Sequence, residues 1–121
     1  MKILVIDDNR VMLHAIKAVL LEKGHQVYLA SNGIQALNKM YSVQMDCIIS
    51  DVVMPDTPIM SLICSLKNFY KKAVPLILVS TFISNPLIDN ALILGADAFI
   101  PKPIDFKLLG NVIDRLVSSI V

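Results

Sequence analysis

Lys2-Ile3-Leu4-Val5-Ile6-Asp7-Asp8-Asn9 sets the reading of the whole chain. A short, almost wholly apolar and β-branched run that ends abruptly in acid is the pattern of a strand covered on both faces by helices. From about Arg10 to Lys23, Val11, Met12, Ala15, Ile16, Val19 and Leu20 recur at helical spacing and predict one apolar face, with Gly24 as the stop. The same two periods then alternate along the sequence. Gln26–Ala30 predicts an edge strand, and Asn32-Gly33 turns it into a helix carrying Ala36, Leu37 and Met40 that ends near Ser42. Asp46–Asp51 is a buried strand, again ending in a carboxylate, followed by a loop with Pro55 and Pro58 and a helix presenting Ile59, Leu62, Ile63 and Leu66. Pro75–Ser80 is the fourth strand, Asn85-Pro86 an N-cap with proline in the first turn of a helix reaching Leu94, and Gly95 its stop. Asp97–Ile100 is the fifth strand. After Lys102-Pro103 a last helix lines up Leu109, Val112, Ile113, Leu116, Val117 and Ile120, with Gly110 inside it at a cost of about 1 kcal/mol relative to alanine. Five strands alternating with five helices through short crossovers predict an α/β fold with a doubly wound, five-stranded parallel sheet.

The composition narrows the class. With 121 residues, 55% of them hydrophobic and 17% charged, the chain forms one domain over residues 1–121 and buries a core without disulfides or a structural metal. Eleven basic against ten acidic residues leave a net charge of +1, so no electrostatic field points to nucleic acid or an anionic membrane. Uninterrupted apolar runs such as Leu76–Val79 and Ala91–Leu94 fall far short of the roughly 20 residues that a membrane span needs, and residues 1–6 do not read as a secretory signal. Cys47 and Cys64 lack CxxC spacing and sit in apolar surroundings, which predicts two buried thiols in a reduced, cytoplasmic chain. Met12, Met40 and Met60 read as packing, and His14 and His25 as residues without partners or ligands.

In an open parallel sheet the ligand site lies beyond the carboxyl ends of the strands. That filter selects Asp7, Asp8 and Asn9, then Asp51, then Ser80 and Thr81, then Lys102. Taken singly, each has a plainer reading: Asp7 and Asp8 as helix caps, Asp51 as a turn former, Lys102 as a solvated surface charge. Together, three carboxylates on one rim repel one another unless a cation neutralises them. All the candidate ligands are oxygens, which suits Mg²⁺ (or Mn²⁺) sharing its shell with a phosphate, with a lysine and a hydroxyl to hold the anion.

Several stretches then line up with one known family. These are Ile3-Leu4-Val5-Ile6-Asp7-Asp8-Asn9, Ala30-Ser31-Asn32-Gly33-Ile34-Gln35-Ala36-Leu37, Asp51-Val52-Val53-Met54-Pro55, Pro75 to Ser80, and Gly95-Ala96-Asp97-Ala98-Phe99-Ile100-Pro101-Lys102-Pro103. Over essentially its whole length the chain resembles the receiver domain of bacterial two-component response regulators, similar in fold to the single-domain chemotaxis regulator. The resemblance implies a flavodoxin-like (βα)5 fold with strand order 2-1-3-4-5. It implies that Asp51 takes a phosphoryl group from a phosphohistidine on a sensor histidine kinase or phosphotransfer protein. Asp8, Asp51 and the backbone carbonyl of Val53 would hold Mg²⁺, with Asp7 acting through a bound water. Lys102 and Ser80 would meet phosphoryl oxygens, Ser80 and Phe99 would form the switch, and Lys102-Pro103 would be a cis peptide. No catalysis on other molecules is expected, only self-phosphorylation and self-dephosphorylation. The output would be another protein or a fused DNA-binding domain, with no nucleic-acid contact by this portion.

Four departures stand against the family pattern. Ile59 holds the place of a usual glycine, Thr81 of a small residue, Ser80 of a more frequent threonine, and the apolar Val53 lies two residues beyond the acceptor. Val53 is expected to lengthen the life of the phosphorylated state by keeping water away. Leu87, Ile88, Leu92, Ile93 and Leu94 crowd nearly every side of the fourth helix, so some must face outward; the family's fourth-helix, fifth-strand, fifth-helix face commonly dimerises. Two rivals remain at this point: a receiver-like interaction module that never takes up phosphate, and a Mg²⁺-dependent phosphohydrolase, which would want an Asp where Val53 stands.

Overall fold

The computed structural model describes residues 1–53, 58–69, 73–81 and 86–118. Along them run β1 (Lys2–Ile6), α1 (Arg10–Glu22), β2 (Gln26–Ala30), α2 (Gly33–Ser42), β3 (Cys47–Asp51), α3 (Ile59–Phe69), β4 (Leu76–Ser80), α4 (Pro86–Leu94), β5 (Ala98–Pro101) and α5 (Phe106–Ser118). The strands form one parallel sheet in the order β2-β1-β3-β4-β5, the doubly wound arrangement that the alternating periods predict. Met54 to Thr57, Asn85, Ile120 and the side chains of Met60, Leu87, Ile88, Leu94 and Val117 lie outside the described residues, and with them the expected N-cap at Asn85.

Strand alternation splits the core in two. Leu4, Ile6, Ile48, Leu76 and Leu78 face α2, α3 and α4, where Ala36, Met40, Ile59, Leu62, Ile63, Leu66 and Ala91 pack on them. Ile3, Val5, Cys47, Ile49, Ile77 and Val79 face α1 and α5, meeting Leu13, Ile16, Leu20, Leu109, Val112 and Ile113. Each fully buried aliphatic side chain stabilises the fold by roughly 1.5–3 kcal/mol. Ile59, in place of the family's glycine, is one of them: it opens α3 and anchors that helix in the core.

The helix ends obey local chemistry. Asn9 caps α1 by accepting from the Met12 N–H (3.1 Å), and Asn32 caps α2 through the Gln35 N–H (2.8 Å). At the far end of α1, Gly24 takes a positive φ of 87°, and the N–H groups of Gly24 and His25 close back on the carbonyls of Leu21 and Leu20.

Several details correct the sequence reading. Asp46 and Asp97 precede their strands instead of opening them. Each binds one neighbouring strand start twice: Asp46 accepts from the Lys2 N–H (2.8 Å) while its own N–H reaches the Lys2 carbonyl (2.7 Å), and Asp97 does the same with Leu76 (2.8 and 2.8 Å). Pro75 likewise lies just before β4, and Pro101 extends β5 by one residue beyond Ile100. Val11 is 80% exposed, and Leu13 takes the inward position expected of it. Cys64 is exposed, one residue off the buried stripe of α3, so only Cys47 is the buried thiol foreseen. His25 does have a partner, its Nδ1 standing 3.2 Å from the Met1 amino group.

Candidate functional site

Register carries the strand ends to one rim. Ile6 pairs with Ser50, Asp51 with Val79, and Ser80 with Pro101, so Asp7, Asp51, Ser80 and Lys102 emerge at nearly the same level. The Lys102 N–H donates to the Ser80 carbonyl (2.8 Å), tying the two loops together, and the Lys102-Pro103 peptide is cis.

Carboxylate oxygens of Asp7, Asp8 and Asp51 lie within 4.8 Å of one another. Asp7 is buried and fully engaged: one oxygen accepts from the Asn9 N–H (2.9 Å), the other from Lys102 Nζ (2.9 Å). Asp8 is exposed. Asp51 is more loosely held, meeting Lys102 Nζ and the Val53 N–H at 3.4 Å each. Because Asn9 supplies the cap of α1, Asp7 and Asp8 are not spent on that task. Lys102, far from being a solvated charge, has its side chain only 15% exposed and spans two carboxylates.

Burial and the neighbouring charges both shift the titration of this site. Burial pushes the Asp51 carboxyl above its ordinary range, with Asp7 adding to the shift and Lys102 opposing it. Burial alone would lower the Lys102 ammonium, but its hydrogen bond to Asp7 and the charge of Asp51 outweigh that and hold it above the usual lysine value. Three carboxylates against one ammonium make a cation-seeking pocket. An all-oxygen donor set with one exposed carboxylate fits a hard divalent ion that keeps some of its waters.

Ser80 is buried at the rim, Thr81 is exposed, and Phe99 is half-buried against the α2/α3/α4 core. Val53 is 52% exposed, two residues beyond Asp51. His14 is exposed on α1. On α4 the apolar Leu92 and Ile93 face outward, as does Leu108 on α5, so the excess of apolar residues in this part of the chain does reach the surface. One polar residue escaped the strand-end filter. Ser50 is fully buried in β3 and donates to the carbonyl of Asp51 (2.9 Å); its only sequence signal is a lone hydroxyl in an aliphatic run.

The comparisons with known proteins agree with this geometry. A family model described as the response regulator receiver domain matches residues 3–114. The chain is 30% identical over 118 residues to the probable transcriptional regulator ycf29 of Pyropia yezoensis, covering 97% of this chain and 53% of that protein. It is 34% identical over 119 residues to the DNA-binding transcriptional regulator NtrC of Azospirillum brasilense, covering 97% and 24%. The chain therefore spans about half the length, or less, of these curated relatives. Among solved structures, a two-component response regulator from Clostridium difficile superposes with a TM-score of 0.91 at 26% identity, over 98% of this chain and 96% of that one.

Proposed function

This chain belongs to the response regulator receiver domain family, and from that premise we propose that Asp51 accepts a phosphoryl group from a phosphohistidine of a sensor histidine kinase or phosphotransfer protein. The observation that carries the reading is Lys102 Nζ lying between the Asp7 and Asp51 carboxylates on the rim that also bears Asp8. Asp51 is the nucleophile because it is the least engaged of the two buried acids. One of its oxygens bonds to phosphorus as the phosphorus–nitrogen bond breaks, and the electron pair leaves on the imidazole. Lys102, released from Asp51, turns to a phosphoryl oxygen, and the Ser80 hydroxyl donates to another.

Asp8, Asp51 and the Val53 carbonyl would hold Mg²⁺ or Mn²⁺, with Asp7 binding through water. When bound, the ion supplies charge neutralisation at the phosphoryl oxygens. Asp7 keeps Lys102 aimed into the pocket throughout.

Drawing Ser80 toward the phosphoryl group vacates space beside β4, into which Phe99 moves from its half-buried place. That movement alters the face formed by α4, β5 and α5, where Leu92, Ile93 and Leu108 stand exposed, and this face takes a second copy or an output partner. The output is exerted through such contacts or through a fused DNA-binding domain, with no catalysis on other molecules. A histidine-kinase donor belongs in the cytoplasm, where an unpaired Cys47 and Cys64 remain reduced. Among the described residues no helix is long and apolar enough to cross a membrane.

The test is intact mass after incubation with acetyl phosphate and Mg²⁺, beside Asp51→Asn and an EDTA control. One added phosphoryl group in the parent only, and only with metal, is expected. An adduct that persists in Asp51→Asn, or no adduct in the parent, overturns the assignment.

A further inference from the structure

Ser50 sits in the central strand β3 between Ile6 of β1 and Leu78 of β4, with Ile48 and Val52 on its own face of the sheet. Its side chain is wholly buried, and a hydroxyl in such surroundings is costly unless it is hydrogen-bonded. Its bond goes to the carbonyl of Asp51 itself, at 2.9 Å. Pairing between β1 and β3 ends at Ile6 and Ser50, and the residue after β1, Asp7, donates its N–H to the Ala30 carbonyl of β2. Asp51 thus stands one residue past the β1 ladder. On the other side the Val52 N–H is still tied to the Val79 carbonyl of β4 (3.1 Å). The peptide that follows Asp51 is therefore held by β4 through its N–H and by the Ser50 hydroxyl through its carbonyl.

We propose that Ser50 is a positioning residue for the acceptor. By pinning the Asp51 carbonyl it fixes the backbone between Asp51 and Val53, and so the direction in which the Asp51 carboxylate and the Val53 carbonyl present themselves to a cation. Packing does not call for an oxygen here, since the neighbours Ile6, Ile48 and Leu78 are all aliphatic. The inference rests on the reading of Asp51 given above and adds to it a residue that touches neither the phosphoryl group nor the metal.

Ser50→Ala and Ser50→Cys in the full chain test it. Cysteine keeps the volume but offers only a weak S–H donor, so the pair separates a lost hydrogen bond from a cavity. The measurements are the thermal midpoint, Mg²⁺ titration by calorimetry without any phosphodonor, and the rate of mass gain with acetyl phosphate at saturating Mg²⁺. Both variants are expected to fold, to bind Mg²⁺ about fivefold more weakly and to gain phosphate about fivefold more slowly, the value of one ordinary hydrogen bond. The acetyl phosphate concentration for half-maximal rate should not change. Parent-like affinity and rate in both variants would overturn the proposal, and so would a parent-like cysteine variant beside an impaired alanine one. If the parent itself gains no phosphoryl group, the reading of Asp51 fails, while the Mg²⁺ titration still decides the role of Ser50.

Discussion

Replacing Lys102 by methionine keeps the aliphatic stem and removes only the charge, leaving the carboxylates of Asp7, Asp8 and Asp51 to face one another. The ammonium lies 2.9 Å from Asp7 and 3.4 Å from Asp51. At an effective dielectric of about 20, each pair carries on the order of 5 kcal/mol of gross attraction, much of it cancelled by the desolvation of the charges. Breaking a buried pair by removing one partner costs about 3–5 kcal/mol, and the partial exposure of both Lys102 and Asp51 puts this case near the lower end, about 3 kcal/mol. At this chain length that corresponds to a fall of about 10 °C in Tm. The pH dependence has a definite sign. The Asp51 carboxyl already titrates above its ordinary range because of burial, with Lys102 holding it down, so loss of Lys102 raises it further. A carboxyl whose folded pKa is raised contributes stability that is present below its unfolded value, about 3.9, and lost as pH rises through the folded one. The variant's deficit should therefore open as pH climbs from about 4 and be complete at neutrality. Mg²⁺, which binds only the folded site, should raise the variant's stability back toward the parent's. Urea unfolding at several pH values, with and without Mg²⁺, measures all of this. A deficit equal at acid and neutral pH and indifferent to Mg²⁺ would refute the electrostatic argument and leave Lys102 a packing residue.

Gly110→Ala should stabilise the chain by up to about 1 kcal/mol, since helix propensity improves and the added Cβ meets only the end of the Lys23 side chain, whose Nζ and Cε stand 2.6 and 2.8 Å away. A lower urea midpoint would show that the Lys23 chain cannot swing aside. Alkylation followed by mass spectrometry should label Cys64 quickly and spare Cys47 until the chain unfolds, because burial, with Asp97 adding to it, pushes the Cys47 thiol up to about 12; two equally fast thiols would contradict this. Val53→Asn, which exchanges an exposed apolar side chain beside Asp51 for one that can hold water, should shorten the life of the phosphorylated form. An unchanged decay rate by intact mass would remove Val53 from that role.

The fold was legible because each strand and helix declares itself locally. The period switches from a strand pattern to a helical stripe five times, and glycine or asparagine stands at most of the joints. The rim was legible for a related reason: parallel strands in register deliver the residue after each strand to one edge, so a one-dimensional filter finds a three-dimensional cluster. What failed was phase and pairing. On α1 the inward stripe is Leu13, Ile16 and Leu20, and Val11 was included because apolar character alone does not fix the rotation that the Asn9 cap imposes. Cys64 follows Ile63 directly, a rotation of about 100° that carries it off the buried face, which strict use of the helical period would have revealed. The Asp46 and Asp97 clamps and the Ser50 bond depend on partners that a strand pattern does not identify.

The excess of carboxylate at the rim is unfavourable to the fold taken alone, and on the proposed reading of Asp51 that cost would make the site responsive. Asp7, Asp8 and Asp51 against Lys102 leave two formal negative charges uncancelled, and burial, with Asp7 adding to it, pushes the Asp51 carboxyl above its ordinary range. A divalent cation would bring the pocket to neutrality. A phosphoryl group on Asp51 would then replace one negative charge by nearly two and add acceptor oxygens where Ser80 and Lys102 can reach them. Each step thus changes the local field by an amount that the core does not absorb, because the aliphatic layers on both sides of the sheet hold β1, β3 and β4 in place. The response has to appear in what is less firmly packed. At the β4 and β5 ends these are the Ser80–Lys102 loop contact and the half-buried Phe99, which packs against the core cluster that Ala91 of α4 joins. If Asp51 accepts a phosphoryl group as proposed, a rigid two-layer core with one carboxylate-rich rim would direct that change toward the neighbouring surface.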